Sequence, residues 1–484
     1  MPTPDGPRVV VIGAGMAGIL ASIRLAEAGY DHVVYEKADR LGGTWRENTY
    51  PGIACDVPSH FYSYSFAPNP EWSHRFAPGA EIRAYFEDVA RRHGVDRRIR
   101  FETEIERLRF EAGRWRIEAK GGLRDEAHAV VAATGVLHHP SIPDLPGLAG
   151  FEGPCFHSAR WDHSVALEGL RVGVVGTGSS AVQITTELAP RVGRLVLFQR
   201  TPQWITPVGN APFTEEEKAA FRADPAAILR VREEVADQYI NGFSNHLSDM
   251  DSPQLEAIHA FVQANLEAQV HDPGLREKLR PDYRAGCKRM ILSDGFYEAI
   301  QRPNAELVVE GIERVEARGV RTRDGVLHEL DVLVLATGFR VDRFLRPIEV
   351  VGRDGLLLDR AWQAGPAAYM ALVVPGFPNL FMLNGPNGPV GNFSLIDVVE
   401  LQFAWVLQVL ARIRAGEFRE AAPSEAAMRR FDAERREAAK RTIWASGCRS
   451  WYLDADSLPT AWPWTYDRFR EEMRAPRLED FDLR

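Results

Sequence analysis

An apolar strand that ends in a glycine-rich turn and runs straight into a helix occurs twice in this 484-residue chain, and that repeat limits the fold more than any other feature. The first copy is Arg8-Val-Val-Val-Ile, then Gly13-Ala-Gly15-Met-Ala-Gly18, then a helical segment from Ile19 to Ala28. In such a turn the first two glycines allow a tight bend and close backbone approach to a pyrophosphate. The third lets helix and strand pack, and the helix N-terminus supplies oriented N–H donors. His32-Val-Val-Tyr-Glu36 reads as the next strand, and its carboxylate, 21 residues beyond Gly15, is placed to accept from the ribose hydroxyls of an adenosine moiety. The second copy is Leu170-Arg-Val-Gly-Val-Val, with the turn Gly176-Thr177-Gly178-Ser179-Ser180-Ala181. Its following strand ends in Arg200 and Thr201, and Arg200 lies 22 residues beyond Gly178. An acid there would repel a 2′-phosphate, whereas a guanidinium forms a charge-assisted fork with it, so this unit favours NADPH over NADH.

Two such units imply an α/β chain with two doubly wound, Rossmann-like dinucleotide-binding domains. The length suits about two or three domains. We expect a first dinucleotide domain over 1–140, a second over 141–340 with a helical insertion at about 210–285, and a return to the first domain with a C-terminal region over 341–484. Ala129-Val-Val-Ala-Ala-Thr-Gly135 and Leu333-Val-Leu-Ala-Thr-Gly338 read as buried strands at whose ends the chain crosses between domains. Helices are expected over Glu81–Arg92 and Val398–Ile413, and strands over Arg98–Ala119 with a turn at Gly113. The insertion reads as charge-rich helices that line or cover the site, with no chemistry in their periodicity.

A net charge of -9 argues against a nucleic-acid partner, because phosphate binding needs a basic face. Cys55, Cys155, Cys287 and Cys448 are too widely spaced for a Cys-x-x-Cys pair or a zinc cluster, which fits a reduced setting. His138-His139-Pro140 lacks acidic or cysteine partners at ligand spacing and reads as a turn, so no metal is expected. With no signal-peptide pattern at the N-terminus and no apolar run of about 18 residues, we expect a cytoplasmic protein without membrane contact.

Two longer patterns narrow the function. Between the glycine-rich units, Phe151, Gly153, His157, Trp161 and Asp162 fit Phe-x-Gly-x-x-x-His-x-x-x-Trp-(Pro/Asp). Earlier, the stretch from Gly42 to Asp56 fits (Ala/Gly)-Gly-x-Trp-x4-(Phe/Tyr)-Pro-(Gly/Met)-x3-Asp at every fixed position. On these residues the chain resembles the type I Baeyer-Villiger monooxygenases, flavoproteins that insert one oxygen atom of O2 beside a ketone carbonyl. The resemblance covers nearly the whole chain. Flavin disulfide reductases also pair two glycine-rich turns, but they need a redox cysteine pair that this sequence lacks.

The resemblance implies FAD in the first unit and NADPH in the second. It places Gly43, Thr44 and Trp45 along FAD, Asp56 and Leu395 beside the flavin, Lys288 on the 2′-phosphate, Arg289 at the flavin as a fixed cation, and Trp451 by the nicotinamide. Tyr62 is a flavin-side contact on this reading, although the aromatic run around it equally suits a core. The chemistry implied is hydride transfer from NADPH to FAD, capture of O2 as a C4a-peroxide, and conversion of a ketone to an ester or lactone. Sulfoxidation as a side reaction, oxygenation of amine or sulfur atoms as the main one, and a redox-sensing flavin protein stay open. So do the ketone, the oligomeric state and the role of Trp451, since LDADSLPTAWPWT departs from longer family members.

Overall fold

The computed structural model describes residues 6–389, 391, 393–450, 452–454 and 456–484, so Trp451 lies outside the described residues. Each glycine-rich unit seeds a five-stranded parallel sheet. In the first, the strand order is Leu380–Met382, Ala129–Ala132, Val9–Ile12, His32–Tyr35 and Ile99–Arg100, with Val9 opposite both His32 and Ala129. In the second it is Ala305–Val308, Arg194–Phe198, Arg171–Val175, Val332–Leu335 and Cys155–His157. Val9–Ile12 and Val332–Leu335 are buried along their whole length, as strands covered on both faces must be. The chain is α/β with two doubly wound units, and strand Leu380–Met382 brings it back to the first sheet after the second is complete.

The two Ala-Thr-Gly segments leave their sheets side by side. The Ser141 N–H donates to the Gly338 carbonyl at 2.8 Å, and the Thr337 hydroxyl donates to the Ser141 carbonyl at 2.6 Å. These bonds lock the outgoing and returning crossings into one hinge-like ladder between the sheets. A four-stranded sheet of Glu349–Val351, Ile105–Glu111, Arg114–Ala119 and Arg124–Ala127 flanks the first unit, with its hairpin turning at Ala112 and Gly113, both at positive φ.

Helices span Gly79–Arg92 and Leu395–Arg414, each starting two or three residues before the sequence expectation because Pro78 and Ser394 take the extended cap position. The insertion folds as helices Glu215–Ala223, Pro225–Gly242, Pro253–Gln269 and Pro273–Leu279. Proline in the first turn of three of them costs no hydrogen bond, and Thr214, Asp224 and Asp272 cap N-terminal N–H groups.

The cysteines correct one expectation. Cys287 and Cys448, 161 residues apart, form a disulfide with a Cα–Cα distance of 6.2 Å, while Cys55 and Cys155 are free. Sequence spacing hides a pair that only the packing of Leu247, Ile443 and Trp444 brings together. Among the described residues, no helix is long and apolar enough to cross a membrane.

Candidate active site

A cleft of about 2030 Å³ runs between the two sheets and is lined by both glycine-rich turns. On the first side, Gly13 has φ +102°, and a Cβ there would sit 2.5 Å from the Ala133 carbonyl oxygen. Gly176 repeats this in the second unit, at φ +118° and 2.3 Å from the Ala336 oxygen. Each turn is thus pressed against the strand that ends in Ala-Thr-Gly. Gly43 touches Gly15 backbone to backbone, since a Cβ on Gly43 would lie 2.9 Å from the Gly15 Cα.

Both helices that follow these turns, Met16–Glu27 and Ser179–Leu188, begin without a side-chain cap and without an acid in the first turn. Their free N–H groups face the cleft, which is what a pyrophosphate requires. Three insertion helices, by contrast, are capped by their own side chains. The residues therefore fit two dinucleotides. Glu36 also braces the first turn, because its two carboxylate oxygens accept from Ala14 N–H at 2.7 Å and Ala38 N–H at 2.9 Å.

Along the first unit, Thr44, Trp45, Asp56, Tyr62 and Leu395 line the cleft. The Trp45 indole N–H donates to the Tyr62 hydroxyl at 3.2 Å, so the two aromatics orient each other edge to face. Burial pushes the Tyr62 phenol far above its ordinary pKa, which keeps it an O–H group. On the second side, Thr177, Gly178, Ser179, Ser180, Arg200, Thr201 and Lys288 line the same cleft. The Thr177 hydroxyl donates to the Thr201 carbonyl at 2.6 Å, which ties the turn to the strand end carrying Arg200. The Lys288 ammonium lies 4.4 Å over the Tyr283 ring, and burial together with the nearby Arg200 charge holds its pKa below the usual value. A lysine whose charge is disfavoured by a neighbouring cation marks a spot that favours an anion.

Asp56 and Arg289, 233 positions apart in sequence, meet where the two halves of the cleft join. The Arg289 Nε–H donates to Asp56 Oδ2 at 2.6 Å. Burial alone would raise the Asp56 pKa, but the adjoining guanidinium outweighs it and holds the carboxyl below its ordinary range. Burial works against the Arg289 charge, and Asp56 more than restores it. Their side chains keep 27% and 31% exposure, and both line cavities, so that exposure is to the site interior. A second chamber of about 350 Å³ opens from this pair, with apolar walls that include Val235, Phe243, Ile258, Met290 and Leu292. Tyr452 closes it beside Arg289 and accepts a hydrogen bond from the guanidinium.

Some residues singled out in the sequence lie elsewhere. Gly18 does not line the cleft; a Cβ on it would fall 1.8 Å from the Gly13 carbonyl oxygen, so it serves the packing of the turn. Phe151, Gly153, His157, Trp161 and Asp162 do not line it either. His157 Nδ1 accepts from Ala159 N–H at 3.1 Å, which leaves Nε2–H to donate to the Gly338 carbonyl at 3.1 Å, on the crossing itself. Gly153 abuts the Asp331 carbonyl, Trp161 packs edge to face on Phe156, and Asp162 accepts from Ser164. This stretch holds the edge strand and the crossing in register.

Sequence reasoning missed the bracket that joins the two units. The Ser180 hydroxyl donates to the Tyr50 hydroxyl at 3.1 Å, and Tyr50 donates to Gln183 Oε1 at 2.9 Å. Glu47 is held among Arg46, His138 and Arg160. Tyr50 was visible as a pattern position, but no local signal in the sequence names its partner.

Residues 6–211 match the family described as Flavin-binding monooxygenase-like. An uncharacterized monooxygenase of Mycobacterium tuberculosis is 45% identical over 481 residues, covering 99% of this chain and 96% of that protein. A Baeyer-Villiger monooxygenase of Streptomyces coelicolor is 41% identical over 485 residues, covering 98% of this chain and 92% of the relative. The crystal structure of cyclohexanone monooxygenase from Rhodococcus sp. Phi1 bound to NADP+ superposes with a TM-score of 0.88 at 33% identity, covering 100% of both chains. With two dinucleotide turns facing one cleft, an Asp-Arg pair at its centre and relatives of this closeness over its whole length, the chain belongs to the Baeyer-Villiger monooxygenases within the flavin-binding monooxygenase-like family.

Proposed function

We propose that this chain uses FAD, NADPH and O2 to convert a ketone with a compact apolar skeleton into an ester or lactone, acting in the cytoplasm and without a nucleic-acid partner. The balance is ketone plus O2, NADPH and a proton giving ester, water and NADP+. The observation that carries this reading is the Asp56–Arg289 pair, which lines both the dinucleotide cleft and the largely apolar chamber beside it. At about 350 Å³ the chamber sits at the small end of ligand pockets, which suits a substrate of limited bulk.

FAD, when bound, supplies hydride acceptance from NADPH and the activation of O2. The chain's residues do the rest. Gly13, Gly15 and the Met16–Glu27 N-terminus hold one pyrophosphate, with Glu36 toward the adenosine ribose; Gly176 to Ser180 hold the other. Arg200, Thr201 and Lys288 take the 2′-phosphate. Arg289, kept charged and aimed by Asp56, stabilises negative charge that develops on oxygen, and the apolar walls exclude water so that this charge is felt strongly. The division into 1–140, 141–340 and 341–484 follows the same logic, since each dinucleotide needs its own sheet.

Product analysis by mass spectrometry over cyclic, linear and aromatic ketones, with sulfides alongside, tests the reaction. We expect at least one ketone to gain a single oxygen atom with matching NADPH consumption. Oxygenation of sulfides or amines alone would move the chain to the rival chemistry, and NADPH use that no substrate raises would favour a redox sensor. Cofactor choice has its own test. Arg200→Ala should raise KM for NADPH by about 10- to 100-fold, the scale of a lost charge-assisted bond, and change that for NADH by no more than about twofold. Equal effects on both would show that Arg200 does not read the phosphate.

A further inference from the structure

The helix Pro225–Gly242 in the insertion is pinned to the flavin-side unit by one buried charge. Arg232 is 9% exposed, its Nη1–H donates to the Phe61 carbonyl at 3.1 Å, and its Nη2–H donates to Asp397 Oδ1 at 3.2 Å. Asp397, in the first turn of Leu395–Arg414, is held from its other side by the Tyr466 hydroxyl. Seven residues beyond Arg232 is two helical turns, so Tyr239 lies on the same face. Its ring is fixed edge to face against Phe61, with centroids 6.0 Å apart, and against Phe243 at 6.4 Å.

Tyr239 lines the 350 Å³ chamber together with Asp56, Arg289 and Tyr452, and it keeps partial exposure to that space. Among the described residues its hydroxyl makes no hydrogen bond. Of the other polar groups lining the chamber, the Tyr452 hydroxyl accepts from Arg289, the Gln238 side-chain carbonyl accepts from Arg75, the Lys288 ammonium lies over the Tyr283 ring, and the Thr206 hydroxyl is buried. Burial pushes the Tyr239 phenol well above its ordinary pKa, and the Arg289 charge only partly offsets this, so it stays an O–H donor through the working pH range. An unpaired donor fixed beside a cation in an apolar chamber suits a neutral acceptor that becomes negative during reaction.

Resting on the ketone reading above, we propose that Tyr239 is a further catalytic residue, which donates a hydrogen bond to the carbonyl oxygen of the bound ketone while Arg289 balances the charge arising on the oxygens around it. On this proposal the insertion supplies chemistry as well as a cover. No proton changes owner in this step; the bond shortens as the carbonyl oxygen gains charge.

The test is Tyr239→Phe, which deletes the hydroxyl and keeps the ring contacts with Phe61 and Phe243. We expect kcat/KM for the ketone to fall by about 10- to 100-fold, as for a donor to a charge-bearing oxygen. An equilibrium titration of the resting enzyme with ketone, without NADPH, should show weaker binding, while flavin bleaching by NADPH changes by no more than about twofold. Unchanged kcat/KM overturns the proposal, and so does an equal loss in flavin bleaching and ketone turnover, which marks a structural role. If the unaltered enzyme oxidises no ketone, the proposed function fails; if it does and Tyr239→Phe matches it, only the role of Tyr239 fails.

Discussion

Arg289→Ala is expected to bind FAD and to bleach it with NADPH, yet to lose ester formation by at least about 100-fold, the scale for removing one preorganised charge stabiliser. The guanidinium is charged at any working pH, and its Nε–H is fixed on Asp56 at 2.6 Å, so no reorganisation is needed when negative charge appears on a nearby oxygen. Removal also leaves Asp56 buried without its partner. In the intact protein the depressed Asp56 pKa adds stability above the ordinary carboxylate range, lost as pH falls through the folded-state value. Without Arg289, burial is the largest remaining influence, and it raises the Asp56 pKa and favours the neutral carboxylic acid. Arg289→Lys separates charge from geometry: it keeps the cation, loses the planar fork, and should recover part of the lost rate. The ordinary ion-pair reading gives a different outcome, with destabilised protein and unchanged turnover per bound flavin. Flavin content, bleaching rate and ester yield per NADPH distinguish the two, and ester made by Arg289→Ala at the unaltered rate would sink the catalytic role.

How legible these features are depends on how local they are. Gly13, Gly15, Glu36, Gly176, Gly178 and Arg200 follow from strand-turn-helix spacing, because the turn, the helix N-terminus and the next strand end are covalent neighbours that one unit brings together. Both parallel sheets follow from the same local units. Asp56 and Arg289 are different. Nothing in their spacing predicts contact; only the resemblance paired them, and the contact forms where the two units, joined by hydrogen-bonded crossings, line one cleft. The long pattern at Phe151–Asp162 announced the family while its fixed residues do not line the cleft; His157 instead holds the crossing at Gly338. The disulfide and Tyr239 were not legible at all. Each depends on a helix or loop returning from far along the chain, and a lone Tyr in a charge-rich helix looks like any amphipathic position until the neighbouring Arg232 anchor fixes which face points inward.

Gly18→Ala should strip the protein of FAD, although Gly18 does not line the cleft. Its added Cβ would stand 1.8 Å from the Gly13 carbonyl oxygen and 2.9 Å from the carbonyl carbon, both backbone atoms. Gly13 cannot retreat, because the Ala133 carbonyl already sits where a Cβ would meet it at 2.5 Å. Gly13 is also held by its own N–H, which donates to the Tyr35 carbonyl at 2.8 Å. The substitution must then spread the helix Met16–Glu27 from strand Val9–Ile12 and shift the N–H groups that would receive the pyrophosphate. Overpacking of this kind costs about 1–3 kcal/mol or more, and misplaced donors lose the anion besides. We expect FAD content per chain to fall by more than about tenfold, with a lower Tm. The second unit supplies the internal control, for it carries Ala181 at the matching position, fully buried and accommodated. Ala181→Gly should cost only about 1 kcal/mol of helix propensity and leave FAD bound. Absorbance spectra and thermal unfolding of both variants read the contrast directly: full flavin occupancy in Gly18→Ala would show that the first turn has slack the close contact denies.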